Sequence, residues 1–432
     1  MMNIKILENR INRVVNLYDN LEELINNLPI SLPDGAQEQI KKMIFGNKDI
    51  NNVISSLKDR RPPRFFMVGR TGVGKSSLIN AILGKYAART SPIKIGTNQV
   101  QRYNYESDGR VLFEVMDTRG IAESTNNQNT VAEDQLKEEI EKFDPDAVMF
   151  LTNATERARM DEDVEYIKQL YKDIDREIPL VTVITHVDNV EPSRIKENYT
   201  DSKIRNINEK KLQMENLLKK FDLNCSAVIP VSAYIEWNSE DPHQLDSEAQ
   251  KKLHIEFDGR YNIEALLDFL ETNMDFKASV YLMMMTRVDK AIKKIADKIT
   301  SAFAAGSAAV GISPIPFSDM AILIPLQLIL ITTIAYLSGT DISKESAKEF
   351  LISFSGIGIF GYGLRVLAQQ GSKLLNLVLP IAGSAVSSVI AFSGTLAIGK
   401  GAIAYYIDKK SKDEVEDIMK EASKDGKDKF SE

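Results

Sequence analysis

Eight consecutive residues, Gly69-Arg70-Thr71-Gly72-Val73-Gly74-Lys75-Ser76, carry the clearest chemistry in the 432-residue chain. They follow the apolar run Phe65-Phe66-Met67-Val68 and open a helical pattern that continues through Ser77. Glycines at these positions let backbone N–H groups turn inward around phosphate oxygens, and the following helix adds its positive end. Lys75 is placed to reach β- and γ-oxygens and Ser76 to ligate Mg²⁺. The expected nucleotide contacts here are Gly69, Thr71, Gly72, Val73, Gly74, Lys75, Ser76 and Ser77.

Four further stretches fit around that loop. Gly96-Thr97 precedes a strand-like run, Val111 to Met116, that ends at Asp117-Thr118-Arg119-Gly120. An aspartate at the carboxyl end of a strand faces the metal side of such a site, so Asp117 is expected to hold Mg²⁺ through water and the Gly120 N–H to meet the γ-phosphate. The apolar run Pro179 to Ile184 leads into Thr185-His186-Val187-Asp188, and Ala227 to Val231 leads into Ser232-Ala233. Both runs read as buried parallel strands.

In this order the five elements resemble a GTPase domain of the translation-factor-related class, similar to Era and to the immunity-related GTPases. The resemblance implies bound GTP or GDP with Mg²⁺. It implies Ser76, Thr97 and Asp117 around the metal, Lys75, Thr97 and Gly120 around the reacting phosphate, and Thr185, His186, Asp188, Ser232 and Ala233 around the base. Asp188 can accept two hydrogen bonds from guanine N1–H and the exocyclic amine. Adenine lacks that donor pair and would leave a carboxylate unpaired, which is costly. The Ala233 backbone N–H would meet guanine O6.

The chain departs from that family in places. His186 stands where a lysine usually packs over the base, and an imidazole can stack there instead. Arg119 stands where proline is usual. Ile121 occupies the place of a water-orienting glutamine, and an aliphatic chain cannot position water, so hydrolysis by the lone chain is expected to be slow and to rise with self-association or a partner. Arg70, Arg89 and Arg119 are candidates for neutralising transition-state charge, with a solvated surface cation as the ordinary alternative for each. Gly72 stands where potassium-assisted relatives carry asparagine.

Composition narrows the remaining classes. The formal charge is −7, so no general affinity for nucleic acid is expected. The single cysteine, Cys225, suits a reducing compartment, and the three histidines, His186, His243 and His254, show no metal-ligand spacing. The first residues lack a charged start followed by an apolar core, so no secretory signal is expected. The resemblance implies a bacterial cytoplasmic protein, with peripheral or integral inner-membrane association left open.

Three regions follow: 1–61, a helical segment; 62–275, the GTPase domain; and 276–432, a helical domain. The fold class is α/β, a doubly wound, mainly parallel, six-stranded G domain beside an all-α domain built from the C-terminal region with the N-terminal helices. Ile4, Leu7, Ile11, Val14, Tyr18, Leu21, Ile25 and Leu28 form one apolar seam, which fits a coiled coil or, the favoured reading, a helix laid along the chain's own helical domain. Helices are expected near 131–143, 162–173, 202–221 and 263–274. The polar stretch 234–261, with the only tryptophan, Trp237, reads as an elaborated loop.

Beyond residue 276, Lys298 and Asp319 bracket 20 uncharged residues, Asp319 and Asp341 bracket 21, and Lys373 and Lys400 bracket 26. Each block could cross a bilayer, which needs ~20 mainly apolar residues, yet all are rich in small residues that suit tight soluble bundles equally well. The region carries 18 Lys/Arg against 15 Asp/Glu, a sign asymmetry that favours an anionic surface. A final charged helix is expected over 405–428. Gly306 to Asp319 resembles the Pro-x-Pro-x-x-Asp hairpin of the YcjF-like domain of unknown function. The order of helical prefix, G domain and helical module resembles the immunity-related GTPases, which implies oligomerisation on membranes.

The expected activity is hydrolysis of GTP to GDP and phosphate by a switch coupled to a helical effector or membrane-associating module. The rivals are a non-hydrolysing GTP-binding scaffold and, last, a ribosome-assembly GTPase. Guanine nucleotide is the expected partner, with a homodimer across the G domain and a membrane surface left open.

Overall fold

The computed structural model describes residues 4–20, 25, 36–89, 101–107, 109–117, 130–156, 160–172, 177–250, 252–310, 318–340 and 384–431. Its contacts divide into two units, one of residues 61–286 and one joining 1–60 to 287–432. Helices α1 (Ile4–Asp19), α2 (Ala36–Gly46) and α3 (Lys48–Lys58) open the chain. Asn47 caps α3 by accepting the Ile50 N–H at 2.9 Å, which satisfies one of the donors a helix start leaves unpaired.

The sheet unit runs from β1 (Arg64–Val68) through α4 (Lys75–Leu83), β2 (Ala88–Arg89), β3 (Gln101–Ser107) and β4 (Arg110–Asp117). It continues with α5 (Thr130–Phe143), β5 (Ala147–Asn153), α6 (Met160–Lys172), β6 (Leu180–Thr185), α7 (Asp201–Lys220) and β7 (Ala227–Pro230). Strands β8 (Ser232–Trp237) and β9 (Ile255–Tyr261) and helices α8 (Ile263–Asn273) and α9 (Phe276–Thr286) complete it. The sheet order is β2-β3-β4-β1-β5-β6-β7. Strands β1, β4, β5, β6 and β7 run parallel, β3 pairs antiparallel with β4, and the two-residue edge β2 pairs antiparallel with β3. Six strands of four or more residues thus form the mainly parallel sheet.

Strand period puts Phe66 and Val68 on one face of β1 and Phe65 and Met67 on the other. The first face packs with Ile140 and Phe143 of α5, Val164 and Ile167 of α6, and Ile207, Met214 and Leu218 of α7. Each fully buried side chain of this size contributes about 1.5–3 kcal/mol. Helices on a parallel sheet leave its carboxyl edge as the place where loops converge, which is where those predicted site residues that are described fall.

One expectation is corrected here. The stretch 234–261 is not only loop: β8 and β9 pair as an antiparallel ribbon, with Ser232 opposite Tyr261 and Ala233 opposite Arg260. Trp237 ends β8 and meets Tyr86 edge to face, ring centroids 5.7 Å apart.

The second unit gathers α1–α3 with α10 (Val288–Val310), α11 (Ser318–Ser338), α12 (Ser384–Ala402) and α13 (Lys412–Ser431). Leu7, Ile11, Val14 and Tyr18 of the N-terminal seam are buried. Tyr18 Oη lies 3.4 Å from Thr333 Oγ1 of α11, and its ring meets Phe303 of α10. The seam therefore serves this unit's own core. A Cβ built on Gly399 would stand 2.3 Å from Thr300 Cγ2, so only glycine lets α12 approach α10 this closely. Some polar groups inside are paired: Ser307 Oγ donates to Ala304 O and Ala391 O, and Gln327 Nε2 to Thr395 Oγ1.

Among the described residues one stretch, Ser388–Ile407, is long and apolar enough to cross a membrane, and most of it is buried inside the protein. The final charged helix starts later than expected, at Lys412, because Lys409 takes a left-handed φ of 56° that interrupts it. The glycine- and proline-rich segment 311–317 and residues 341–383 lie outside the described residues.

Candidate functional site

The phosphate loop bridges β1 and α4. Gly72 and Gly74 have φ of 80° and 92°, a left-handed backbone that L side chains rarely adopt. Gly74 is the residue before the first turn of α4, which opens at Lys75. Thr71, Gly72 and Ser77 are exposed, Val73 is buried, and Gly69, Arg70, Gly74, Lys75 and Ser76 are intermediate. Lys75 Nζ donates to Gly69 O and Arg70 O and stands 3.3 Å from Asp117 Oδ1. Asp117, at the end of β4, is buried. Ser76 Oγ lies 3.0 Å from Tyr105 Oη.

A hydroxyl and a buried carboxylate are hard oxygen donors that suit Mg²⁺. Ser76 would hold the ion directly and Asp117 through water, and the ion would supply neutralisation of phosphate charge. Thr97, Gly120, Arg119 and Ile121 lie outside the described residues.

The base side is built by β6 and β7. Thr185 Oγ1 donates to Val73 O at 2.8 Å and to Thr152 O at 3.1 Å, tying the end of β6 to the phosphate loop and to β5. His186 follows with a left-handed φ of 56°, and its Nδ1 lies 3.0 Å from Thr185 Oγ1. Asp188 is buried. Its Oδ1 accepts from Ser232 Oγ at 3.3 Å and its Oδ2 from Lys196 Nζ at 2.9 Å. Ala233 follows Ser232 at intermediate exposure. Lys75, Ser76, Asp117, Thr185, His186, Asp188 and Ser232 thus lie at or just beyond the carboxyl ends of β1, β4, β6 and β7.

Several contributors were not foreseen from sequence. Lys203 on α7 is 0% exposed, and its ammonium donates to Asp188 O at 2.7 Å, Pro192 O at 3.1 Å and Ile195 O at 2.7 Å. One buried cation therefore gathers three carbonyls of the loop that carries Asp188. Desolvation, with Lys196 nearby, pulls its pKa below the usual lysine value. Tyr199 stacks on Tyr261 with centroids 4.6 Å apart, and burial pushes its phenol up to about 12. The Tyr234 phenol is raised as well, first by its hydrogen bond to Glu236. Lys196 lies over the Tyr234 ring.

Arg70, one of the candidates for neutralising transition-state charge, is engaged in ion pairs. Its Nε and Nη2 make a two-pronged pair with Asp163 at 2.9 and 2.8 Å, with Glu156 and Glu162 within 4 Å. The Asp163 hydrogen bond holds its pKa above the ordinary arginine value. Bidentate pairs of this kind fix the guanidinium plane. The side chain of Arg89 lies outside the described ones.

Fold and loop geometry together define the sheet unit as a P-loop GTPase G domain. Residues 64–186 match the family model of the 50S ribosome-binding GTPase. Among curated proteins, the GTPase Era of Lactobacillus delbrueckii subsp. bulgaricus is 34% identical over 130 residues, 30% of this chain and 40% of that protein. The tRNA modification GTPase MnmE of Proteus mirabilis is 30% identical over 156 residues, 34% of this chain and 33% of its own. The chain thus spans two fifths or less of the length of these relatives. Among solved structures, the LeoA bacterial dynamin GTPase from ETEC aligns over 100% of this chain and 89% of its own, at 13% identity and a TM-score of 0.37. A superposition that loose fixes no function.

Proposed function

We propose that the chain binds GTP with Mg²⁺, hydrolyses it to GDP and phosphate, and uses the change as a switch coupled to its helical unit. The observation that carries this reading is Asp188: a buried carboxylate, oriented by Ser232 Oγ and by the carbonyl-gathering Lys203, on the same strand end that bonds the phosphate loop through Thr185. Its oxygens already accept from Ser232 Oγ and Lys196 Nζ, and the lone pairs they keep suit a purine with adjacent N–H donors. Gly69 to Ser77 would cradle the phosphates, with Lys75 toward the β- and γ-oxygens, while Thr97 and Gly120 would close over the γ-phosphate. His186 and Ala233 would border the base. Loss of the γ-phosphate would release those segments, which is how such switches change state.

Phosphate release from the pure full chain tests the hydrolytic part: it should be measurable with GTP and lost in Lys75→Ala. Nucleotide binding without any release would leave the scaffold reading instead.

Two finer readings concern partners. The cationic surplus of the C-terminal region supports contact with an anionic membrane surface. Flotation with anionic liposomes tests it, and a chain that stays at the bottom with GTP, GDP and no nucleotide removes it. The family description of ribosome binding favours a second reading, ribosome association, which GTP-dependent co-sedimentation with ribosomal subunits would detect.

A further inference from the structure

We propose that Arg260 is a positioning residue for base recognition, a strut that fixes Ser232-Ala233, the start of β8, against the helix leading out of the phosphate loop. The inference deepens the guanine reading above and rests on it. Arg260 sits on β9 directly opposite Ala233 in the β8–β9 ribbon, one rung from the Ser232–Tyr261 pair. From that rung its Nη1 donates to Ala81 O in the last turn of α4 at 3.0 Å. The orphan carbonyls at a helix end need such partners.

The guanidinium is itself held in plane. Its Nε and Nη2 bond the two oxygens of Asp258 at 2.8 and 2.6 Å. It also lies over Gly84, the residue that ends α4 with φ of 62°, where a Cβ would stand 3.1 Å from Nη1. The arginine has one seat, and glycine leaves it open.

The neighbours of Arg260 on β9 reach the other base loop. Tyr261 stacks on Tyr199, at the end of the loop that carries Asp188. Gly259 lies under Lys196, whose carbonyl oxygen would be 3.2 Å from a Cβ placed there. Gly259, Arg260 and Tyr261 therefore touch two nucleotide elements, the Asp188 loop twice and α4 once. The backbone of β9 carries the Ala233 rung between them. Because α4 begins at Lys75, the Arg260–Ala81 bond sets how far the base-reading amide stands from the phosphate grip. A rigid spacing rewards a nucleotide whose base and phosphates fit both loops at once. Without Arg260 the Ser232-Ala233 start of β8 keeps its sequence but loses its fixed distance from α4.

The test is competition of GDP and of ADP against a fluorescent GDP analogue on the full chain, for the parent protein, Arg260→Met, Arg260→Lys and Tyr261→Leu, each checked by thermal unfolding. Arg260→Met should lose about tenfold in GDP affinity, the scale of one charge-assisted hydrogen bond, while ADP changes by less than about twofold. Tyr261→Leu should lower the GDP-over-ADP ratio in the same direction and carries the test should Arg260→Met not fold. Arg260→Lys should recover part of the ratio. Equal losses for GDP and ADP would show that Arg260 merely stabilises α4, and unchanged GDP affinity in Arg260→Met and Tyr261→Leu would show no role in binding; either overturns the inference. A parent protein that takes GDP and ADP equally would sink the guanine reading and this inference together, and that result is seen before any substitution is made.

Discussion

The imidazole of His186 lies directly against Gly74: a Cβ placed on Gly74 would stand 3.0 Å from His186 Cε1. The base motif and the phosphate loop are thus in contact through a residue pair in which one partner has no side chain. Gly74 also holds φ of 92°, so a methyl group there meets both backbone strain and the ring.

Gly74→Ala is therefore expected to cost about 1–3 kcal/mol of local stability and to weaken nucleotide binding more than tenfold, by the strain a left-handed non-glycine residue carries. Differential scanning calorimetry and titration with GDP measure the two effects. Unchanged GDP affinity would contradict the packing of His186 onto the loop.

Arg70 and Asp163 should behave as one unit. If the guanidinium serves to anchor the loop to α6, then Arg70→Ala, Asp163→Ala and the double variant share the same loss, with a coupling energy of about 1–3 kcal/mol in a double-mutant cycle on stability. A fall in catalytic rate in Arg70→Ala alone, with stability and GDP affinity intact, would restore the finger role.

Lys203→Met keeps most of the side-chain volume but removes a fully buried ammonium from three carbonyls. The unpaired carbonyls make the change costly, about 2–4 kcal/mol. Guanine affinity should fall with it, because the Asp188 loop loses its common anchor. Denaturant unfolding and calorimetry read both, and a variant as stable and as tight-binding as the parent would refute the anchoring role.

Ile121 cannot orient water, so turnover per molecule should rise with protein concentration or with an added partner. A dilution series of phosphate release over two to three decades checks this. A flat profile, with and without lipid, would remove the self-association expected from sequence.

The fold was legible where the signal is local. Apolar runs such as 180–185 have few alternatives to a buried strand, and the glycine-rich loop identifies itself by spacing. Strand β3, Gln101–Ser107, carries only two buried residues, Tyr103 and Tyr105, and gives little pattern to read. The β8–β9 ribbon escaped because its strands are half-exposed and a long polar connection separates them. Within the site, Asp188 and Ser232 stood out as motif residues. Their anchors did not: Lys203 sits on a helix where a lysine ordinarily faces water, and Arg70 meets Asp163 from 93 positions away. Long-range pairing is set by topology, which no local pattern reveals.

Isothermal titration of the full chain with GTP and with ATP in Mg²⁺ tests base recognition by Asp188 most directly, repeated on Asp188→Ala. GTP should bind and ATP should not compete at similar concentration, with the preference gone in the variant. Equal uptake of both nucleotides by the parent chain, or uptake of neither, would contradict it.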